Sequence, residues 1–298
     1  MRRITKYTQG LAFVLLWVTA LITIGFLLLI VFFILKEGLP SVNWEFLTAY
    51  PRRMGREGGI FPTIIASLYL TLASLVIATP IGIGAAIYLT EYTREGAGTK
   101  IIRFATEILA GVPSIIFGLF GFAFLVTFLK LGFSILSGAI TLALMLLPTI
   151  IRTAEEAIKS VPNSYREGSL ALGATKWVTI AKVVIPAALP GIVTGIILGV
   201  GRAIGETAAV WLTVGGALRL PISIMDSARP MTLHLYTLAA EGLSLPRAYA
   251  TASILIICIW IINTVANLLM ARFSLKLRAQ FFHGEFEAAF CDKAISGG

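Results

Sequence analysis

Ile60 to Thr90 is a run of 31 residues without one charged side chain, and Leu11 to Leu35 is another of 25. At 1.5 Å per helical residue, each can cross a hydrocarbon core about 30 Å thick. Inside a bilayer a backbone must satisfy its own polar groups, which a helix does. Charged residues make up 13% of the chain, against about 25% in a typical soluble domain. The expected fold class is therefore an all-α membrane protein.

Four further apolar stretches bring the expected spans to six. They are Ile108 to Leu129, Leu131 to Ile151, about Ala188 to Gly216, and Ala248 to Ala271. Pro80 is the expected kink of the second span. Lys36 and Glu37 follow the first apolar run directly, with no small-residue cleavage site, so that run reads as a retained helix. Between spans, Glu91 to Arg103 reads as a short charged loop. Leu218 to Arg247 reads as an outer loop with a short surface helix over Pro230 to Glu241. The expected organisation is an N-terminal helix and external loop over 1–59, a core over 60–272 and a tail over 273–298.

Lysine and arginine orient the bundle, because cytoplasmic segments carry the excess. With the N-terminus inside, the inner segments hold three at the N-terminus, three in Glu91–Arg103, five in Arg152–Lys182 and four in the tail. The outer segments hold four, one and three. The bias of about two to one puts both termini on the cytoplasmic side. The net charge of +9 is then basic flanks meeting anionic lipid. Outside the spans, no basic face is interleaved with aromatics, as nucleic-acid binding requires. Cys258 lies in an apolar run and Cys291 in the polar tail, so no disulfide is expected. His234 and His283 are far apart and lack partners at ligand spacing, so no metal site is expected. No Ser/His/Asp arrangement stands out, and nothing in the chain calls for a cofactor.

The stretch Thr153 to Pro190 cannot lie in lipid, because it carries Glu155, Glu156, Lys159, Arg166, Glu167, Lys176 and Lys182. Thr153-x-x-Glu156 and Ser164-x-x-Glu167 both have the spacing of a capping box. Pro162 separates them. A helix over Tyr165 to Leu172 should break at Gly173, and an amphipathic piece over Ala174 to Ile185 should stop at Pro186. Gly168 to Thr175 has the glycine spacing of a phosphate loop, but Ala174 stands where the lysine must be and no strand precedes it. It reads as a helix–glycine–helix joint, so any ATP chemistry belongs to another chain. A charged hairpin between two spans, with an apolar stripe to bury, needs a partner outside the lipid.

Two features in the spans could meet a solute. Arg202 and Glu206 are four apart and should share one face of the fifth helix. Charges inside a membrane line a pathway or pair with each other, so two readings stay open. The pair neutralises itself and locks the bundle, or Arg202 offers its planar donor fork to an oxyanion. The second feature is Gly111-Val112-Pro113-Ser114. It is either a proline kink or the start of a half-helix whose free N–H groups point at an anion.

Glu167-Gly-Ser-Leu-Ala-Leu-Gly173, followed by Ile185-Pro186, resembles the "EAA" loop of ABC-importer permeases. Leu109-Ala-Gly-Val-Pro-Ser-Ile115, Phe117-Gly-Leu-Phe-Gly121 and Gly201-Arg-Ala-Ile-Gly-Glu-Thr-Ala208 resemble signature stretches of the PstA/PstC phosphate permeases. Gly59-Ile-Phe-Pro-Thr63 and Ser67-Leu-Tyr-Leu-Thr71 fit as well, so the likeness runs from about Gly58 to Arg272. The single first span is more like PstA than PstC.

The resemblance implies a type I importer-permease (MetI-like) fold in a phosphate transporter. It implies a path lined by Arg202, Glu206, Thr207, Gly111, Pro113 and Ser114. It also implies an ATPase-coupling loop carrying Arg166, Glu167, Leu170, Ala171, Leu172, Gly173 and Pro186. The implied partners are a PstB-like ATPase subunit, a second, PstC-like permease and a PstS-like external phosphate-binding protein. The tail after Arg278 resembles nothing in the family.

Overall fold

In the computed structural model, residues 2–93 and 96–295 are described. Arg94 and the side chains of His283 and Cys291 lie outside the described residues. The chain runs α1 (Arg2–Gly38), α2 (Trp44–Thr48), β1 (Pro51–Arg52), β2 (Glu57–Gly58), α3 (Phe61–Ile87), α4 (Ala97–Gly111), α5 (Ser114–Gly121) and α6 (Ile135–Lys159). It continues through α7 (Asn163–Ala171), α8 (Lys176–Thr179), α9 (Ile185–Gly205), α10 (Ala208–Thr213), α11 (Met231–Ala240) and α12 (Leu245–Ile295). Five helices are long and apolar enough to cross a membrane, and α4 with α5 makes a sixth if that bent pair counts as one.

One compact unit comprises residues 1–61 and 234–256. From Phe13 to Ile30 the apolar side chains of α1 are exposed, as on a lipid-facing helix. Asn43 caps α2 by accepting the Phe46 N–H at 2.7 Å, and β1 and β2 form a small antiparallel hairpin. Gly55 in that hairpin has φ +97° and lies against the His234 imidazole, where a Cβ would come within 2.5 Å of Cε1. Arg247 holds the same region by donating to the Gly58 carbonyl and lying over the Phe46 ring.

The other unit comprises residues 62–233 and 257–298 and holds the core. Helices α3, α6 and α9 pack through small residues. A Cβ on Gly82 would reach 2.6 Å from Ile150 Cγ2, and one on Gly191 would reach 2.5 Å from the Ala157 Cβ. In a membrane such close approach substitutes for the hydrophobic drive that lipid cannot supply. Gly191 opposite Ala157 and Gly195 opposite Thr153 fix α6 and α9 as antiparallel. Leu75, Ala78, Leu146, Ile150 and Ala203 close one apolar cluster of this core.

Several boundaries differ from the expected ones. No helix starts at Thr153. Helix α6 runs through it to Lys159, and the Thr153 hydroxyl donates back to the Thr149 carbonyl at 2.7 Å. Pro162, not Ser164, is the N-cap of α7, so neither capping box forms. Propagating an existing helix is easier than nucleating a new one, and α6 is already buried along this stretch. Gly173 does break the hairpin, with φ +83°, and the helix–glycine–helix joint forms.

Pro186 does not end a helix. A π-helical stretch, Ile180–Val184, leads directly into α9, and Pro186 sits in the first turn of α9. At the other end, α9 stops at Gly205, well short of Gly216. The expected loop Glu91–Arg103 is helical from Ala97 onward, and α4 meets α5 at 98°, a break rather than a kink. Helix α11 forms within the expected loop, with Met231, Leu233, His234 and Leu238 buried and Tyr236 exposed.

The connection before α11 is ordered by one carboxylate. Asp226 accepts the N–H groups of Ile222 and Ser223 at 2.9 Å each, and Arg219 lies 3.5 Å away. The Ser223 and Ile222 N–H groups, then Arg219, hold its carboxyl below the ordinary value of 3.8. A depressed carboxyl contributes its order fully above 3.8 and loses it as pH falls through the still lower folded value. Asp226→Asn should therefore raise amide hydrogen exchange at Ile222 and Ser223 at neutral pH. Unchanged exchange would show that the loop is held by other contacts.

Candidate functional site

Helix α9 ends at Gly205 because Glu206 leaves the helix, with φ −76° and ψ 131°. The backbone re-enters helix at Ala208. The Glu206 carboxylate turns forward and accepts the Ala208 and Ala209 N–H groups at 3.1 and 3.3 Å. A carboxylate there satisfies free first-turn donors and the positive end of the helix together. Glu206 therefore does not share a helix face with Arg202. The Arg202 side chain is exposed and, among the described residues, has no hydrogen-bond or ion-pair partner in the chain. The self-neutralised pair read from the four-residue spacing is not formed.

Arg202, although exposed on the surface of this chain, lies level with the middle of α6. The pairing of α9 with α6 sets Ala203, its neighbour, in the cluster with Leu146 and Ile150, near the middle of α6. An unpaired guanidinium at that depth costs about 2.5–3.5 kcal/mol or more to insert, so such groups mark solute or ion pathways.

The break over Gly111–Ser114 lies close by in the fold. Val112 and Pro113 are extended, with ψ 130° and 140°, and Ser114 opens α5. Gly118 of α5 lies against Ala209, where a Cβ would come within 2.8 Å of its Cα, and Gly121 lies against Thr213. Rising residue numbers meet rising ones, so α5 and α10 run side by side in the same direction. Their N-terminal ends, at Ser114 and Ala208, lie within one helical turn of each other, offset by about 3–4.5 Å along the axis. Phe117, Ala209, Val210 and Leu142 pack together behind them. Two helix starts and one cation thus share a narrow slab of the bundle. The proline-kink reading of Gly111–Ser114 gives way to a half-helix start.

The residues at the hairpin lie elsewhere. Leu170 is exposed and Leu172 is 90% exposed, with Tyr165 and Trp177 also open. Glu167 and Ala171 sit on α7 beside them. Arg166 points the other way, into the protein, and donates to Glu91 at 2.8 Å and to the Val161 carbonyl at 2.8 Å. A cavity of about 180 Å³ lies between α4 and the end of α6, lined by Arg103, Glu107, Arg152, Glu155 and Lys159 among others. Glu155, buried, is held there by Arg103 at 2.8 Å and Lys159 at 2.7 Å. None of the expected path residues lines this cavity. The Lys159–Glu155 spacing was legible in the sequence; the Arg103 contact, across 52 residues, had no local signal. Two further buried groups were not foreseen: Arg229, which donates to the Gly216 carbonyl at 2.9 Å, and Thr232, which donates to the Glu206 carbonyl at 2.8 Å. Among the described residues, no group of three or more His, Cys, Asp or Glu could hold a metal ion.

Long apolar helices, a span broken at Gly111–Ser114, an arginine unpaired among the described residues and an exposed helical hairpin are the features of a multi-pass inner-membrane transport permease. Residues 78–279 match the family described as "Binding-protein-dependent transport system inner membrane component", and the chain belongs to that family as a PstA-type permease of ABC importers. It is similar to the "Probable ABC transporter permease protein YqgI" of Bacillus subtilis (strain 168), at 32% identity over 92% of this chain and 99% of that one. It is also similar to the "Phosphate transport system permease protein PstA" of Yersinia pestis, at 34% identity over 90% of this chain and 91% of that one. Among solved structures, a chain of a bacterial alginate ABC transporter in complex with a pentasaccharide-bound periplasmic protein superposes with TM-score 0.65 at 16% identity, covering 87% of this chain and 94% of that one. A chain of the inward-facing MetNI methionine ABC transporter gives TM-score 0.60 at 22% identity, covering 72% of this chain and 95% of that one. The type I importer-permease fold is thereby established.

Proposed function

We propose that the chain is the membrane-spanning, PstA-like permease of an ATP-driven phosphate importer. The observation that carries this is Arg202. It is an exposed guanidinium with no hydrogen-bond or ion-pair partner among the described residues, level with the middle of α6 and beside the helix break at Glu206. Such a fork binds a tetrahedral oxyanion through two parallel N–H···O bonds. Glu206, Thr207, Gly111, Pro113 and Ser114 surround the same level and line the path. Glu206, freed from its cap, accepts the proton of hydrogen phosphate, which sulfate and molybdate do not offer.

The hairpin faces the cytoplasm with both termini, in keeping with the lysine and arginine bias. Its open Leu170, Leu172, Tyr165 and Trp177 dock a PstB-like ATPase, with Glu167 and Ala171 beside them and Gly173 and Pro186 as joints. A PstC-like permease completes the path, and a PstS-like protein delivers phosphate from outside. The nearest rival is the same class of permease for sulfate or molybdate. Residues 1–59, 60–272 and 273–298 are the outer helix and loop, the working core and the tail.

Uptake by proteoliposomes holding the reconstituted complex tests the reading. Phosphate should enter only with ATP and the ATPase subunit, and excess sulfate or molybdate should not compete. Uptake without the ATPase would make the chain an ion-coupled carrier or channel. Competition by sulfate would reassign the substrate. Replacing Leu170 and Leu172 by aspartate should cost the ATPase contact about 2 kcal/mol or more, as for an apolar anchor, and copurification should fall at least tenfold. Undiminished copurification would move the docking face elsewhere.

A further inference from the structure

The hairpin is joined to α9 by the chain itself, but a second route leads from it to the same break. Arg166 donates through Nε and Nη2 to Glu91 Oε1 at 3.0 and 2.8 Å. The same guanidinium donates to the carbonyls of Ile158 at 3.0 Å and Val161 at 2.8 Å. Glu91 lies in a π-helical turn, Tyr88–Tyr92, that continues α3 without interruption. The Glu91 and Arg166 side chains are 9% and 20% exposed, so solvent screens the pair little. The next residue, Tyr92, carries the Lys176 ammonium 5.0 Å from its ring centre. Arg166 belongs to α7 and Lys176 to α8, the two arms on either side of Gly173. The end of α3 therefore grips both arms of the hairpin through consecutive residues.

The opposite end of α3 reaches the broken centre. Ser67 Oγ accepts the Met231 N–H at 2.8 Å, and both residues are buried. Thr232, the next residue, donates to the Glu206 carbonyl at 2.8 Å. That carbonyl belongs to the residue where α9 stops and whose carboxylate caps α10. Two rods, α3 and α9, thus run from one hairpin to one residue. A shift of α3 against α9 reaches Glu206 through the loop between them, because Ser67 holds the Met231 N–H and the next residue, Thr232, holds the Glu206 carbonyl.

We propose that Glu91 is the positioning residue through which the hairpin drives α3, and that α3, through Ser67, Met231 and Thr232, sets whether Glu206 caps α10 or faces the path. The inference rests on the hairpin being the ATPase-coupling element. It predicts a physical two-state element biased from both ends, which is what coupling between distant sites requires. Glu91 and Ser67 are about 36 Å apart along the helix, at 1.5 Å per residue. Substitutions that far apart with no shared partner act independently. If they act on one lever, they do not.

The test uses the complete reconstituted complex and reads phosphate moved per ATP hydrolysed. Glu91→Gln, close to isosteric, and Ser67→Ala are compared singly and together. Each single change should lower the ratio by about 10-fold, within the usual range of coupling energies, while the ATPase still copurifies. The double variant should be no worse than the weaker single variant. A double variant whose losses multiply, or a Glu91→Gln complex with the wild-type ratio, overturns the proposal. A purely structural Glu91 would lower yield and copurification and leave the ratio unchanged. Should Glu91→Gln fail to assemble, Tyr92→Leu removes the Lys176 contact at the same end of α3 and is combined with Ser67→Ala instead, with the same two outcomes. If the wild-type complex moves phosphate without ATP, the functional reading fails; wild-type ATP dependence with multiplicative losses sinks only the lever.

Discussion

Arg202→Gln is expected to abolish phosphate uptake while the complex still assembles. Glutamine keeps a polar donor but is shorter and loses both the charge and the fork. Two charge-assisted hydrogen bonds are worth about 1.5–3 kcal/mol each, so their loss slows transport by about a hundredfold or more. Stability should hardly change, because the guanidinium is exposed and has no partner among the described residues. Arg202→Lys keeps the charge without the planar fork and should recover only part of the rate. ATPase copurification separates the outcomes. Normal copurification with no uptake supports the path role, whereas a complex that falls apart makes Arg202 a structural group. Glu206→Gln should be milder in stability, because a glutamine oxygen still accepts from Ala208 and Ala209.

Gly195→Val is expected to disable folding rather than transport alone. A Cβ at Gly195 falls onto the Thr153 hydroxyl and within 2.8 Å of the Thr153 Cβ. One turn away, Gly191 meets Ala157 in the same way. The two helices touch backbone to side chain along this seam, so a branched residue must push them apart. Overfilling a packed contact costs about 1–3 kcal/mol, and here the loss extends to neighbours on both helices. Purified yield and the thermal midpoint in detergent should both fall sharply. Adding Thr153→Ala should restore part of the loss, since it removes the hydroxyl but leaves the Cβ. A wild-type midpoint for Gly195→Val alone would mean that α6 and α9 are not closely packed at this level.

Helix existence was legible wherever the signal was a long uncharged run. Ile60–Thr90 became α3 and its continuation to Tyr92, because lipid leaves such a sequence no alternative. Local capping signals misled where a longer helix already ran through them. Thr153 and Glu156 have the spacing of a start, yet α6 continues past both. Glycine was legible where the backbone had to turn at Gly173; at Gly111–Ser114 the residues left a kink and a half-helix start both open, and the 98° break between α4 and α5 decided between them. Proline was misread at Pro186, where the π-helical stretch before it relieves the ring's clash with the preceding turn.

The candidate site was legible as a set of residues but not as an arrangement. Arg202 stood out because a charge in an apolar run is costly. That Glu206 turns away to cap α10 depends on where α9 stops, and at that point Thr232, 26 residues on, holds the Glu206 carbonyl. Arg166 read as a surface contact for a partner, yet it is bonded to Glu91, 75 residues earlier. By itself the sequence determined a helical chain in lipid, its spans and its exceptional charges, because transfer free energy is local and additive along the chain. Only the tertiary structure decided which charges stay unpaired, which carbonyls close a break and which helix the hairpin grips. Those outcomes depend on hydrogen bonds between residues far apart in sequence, and no window along the chain contains both partners.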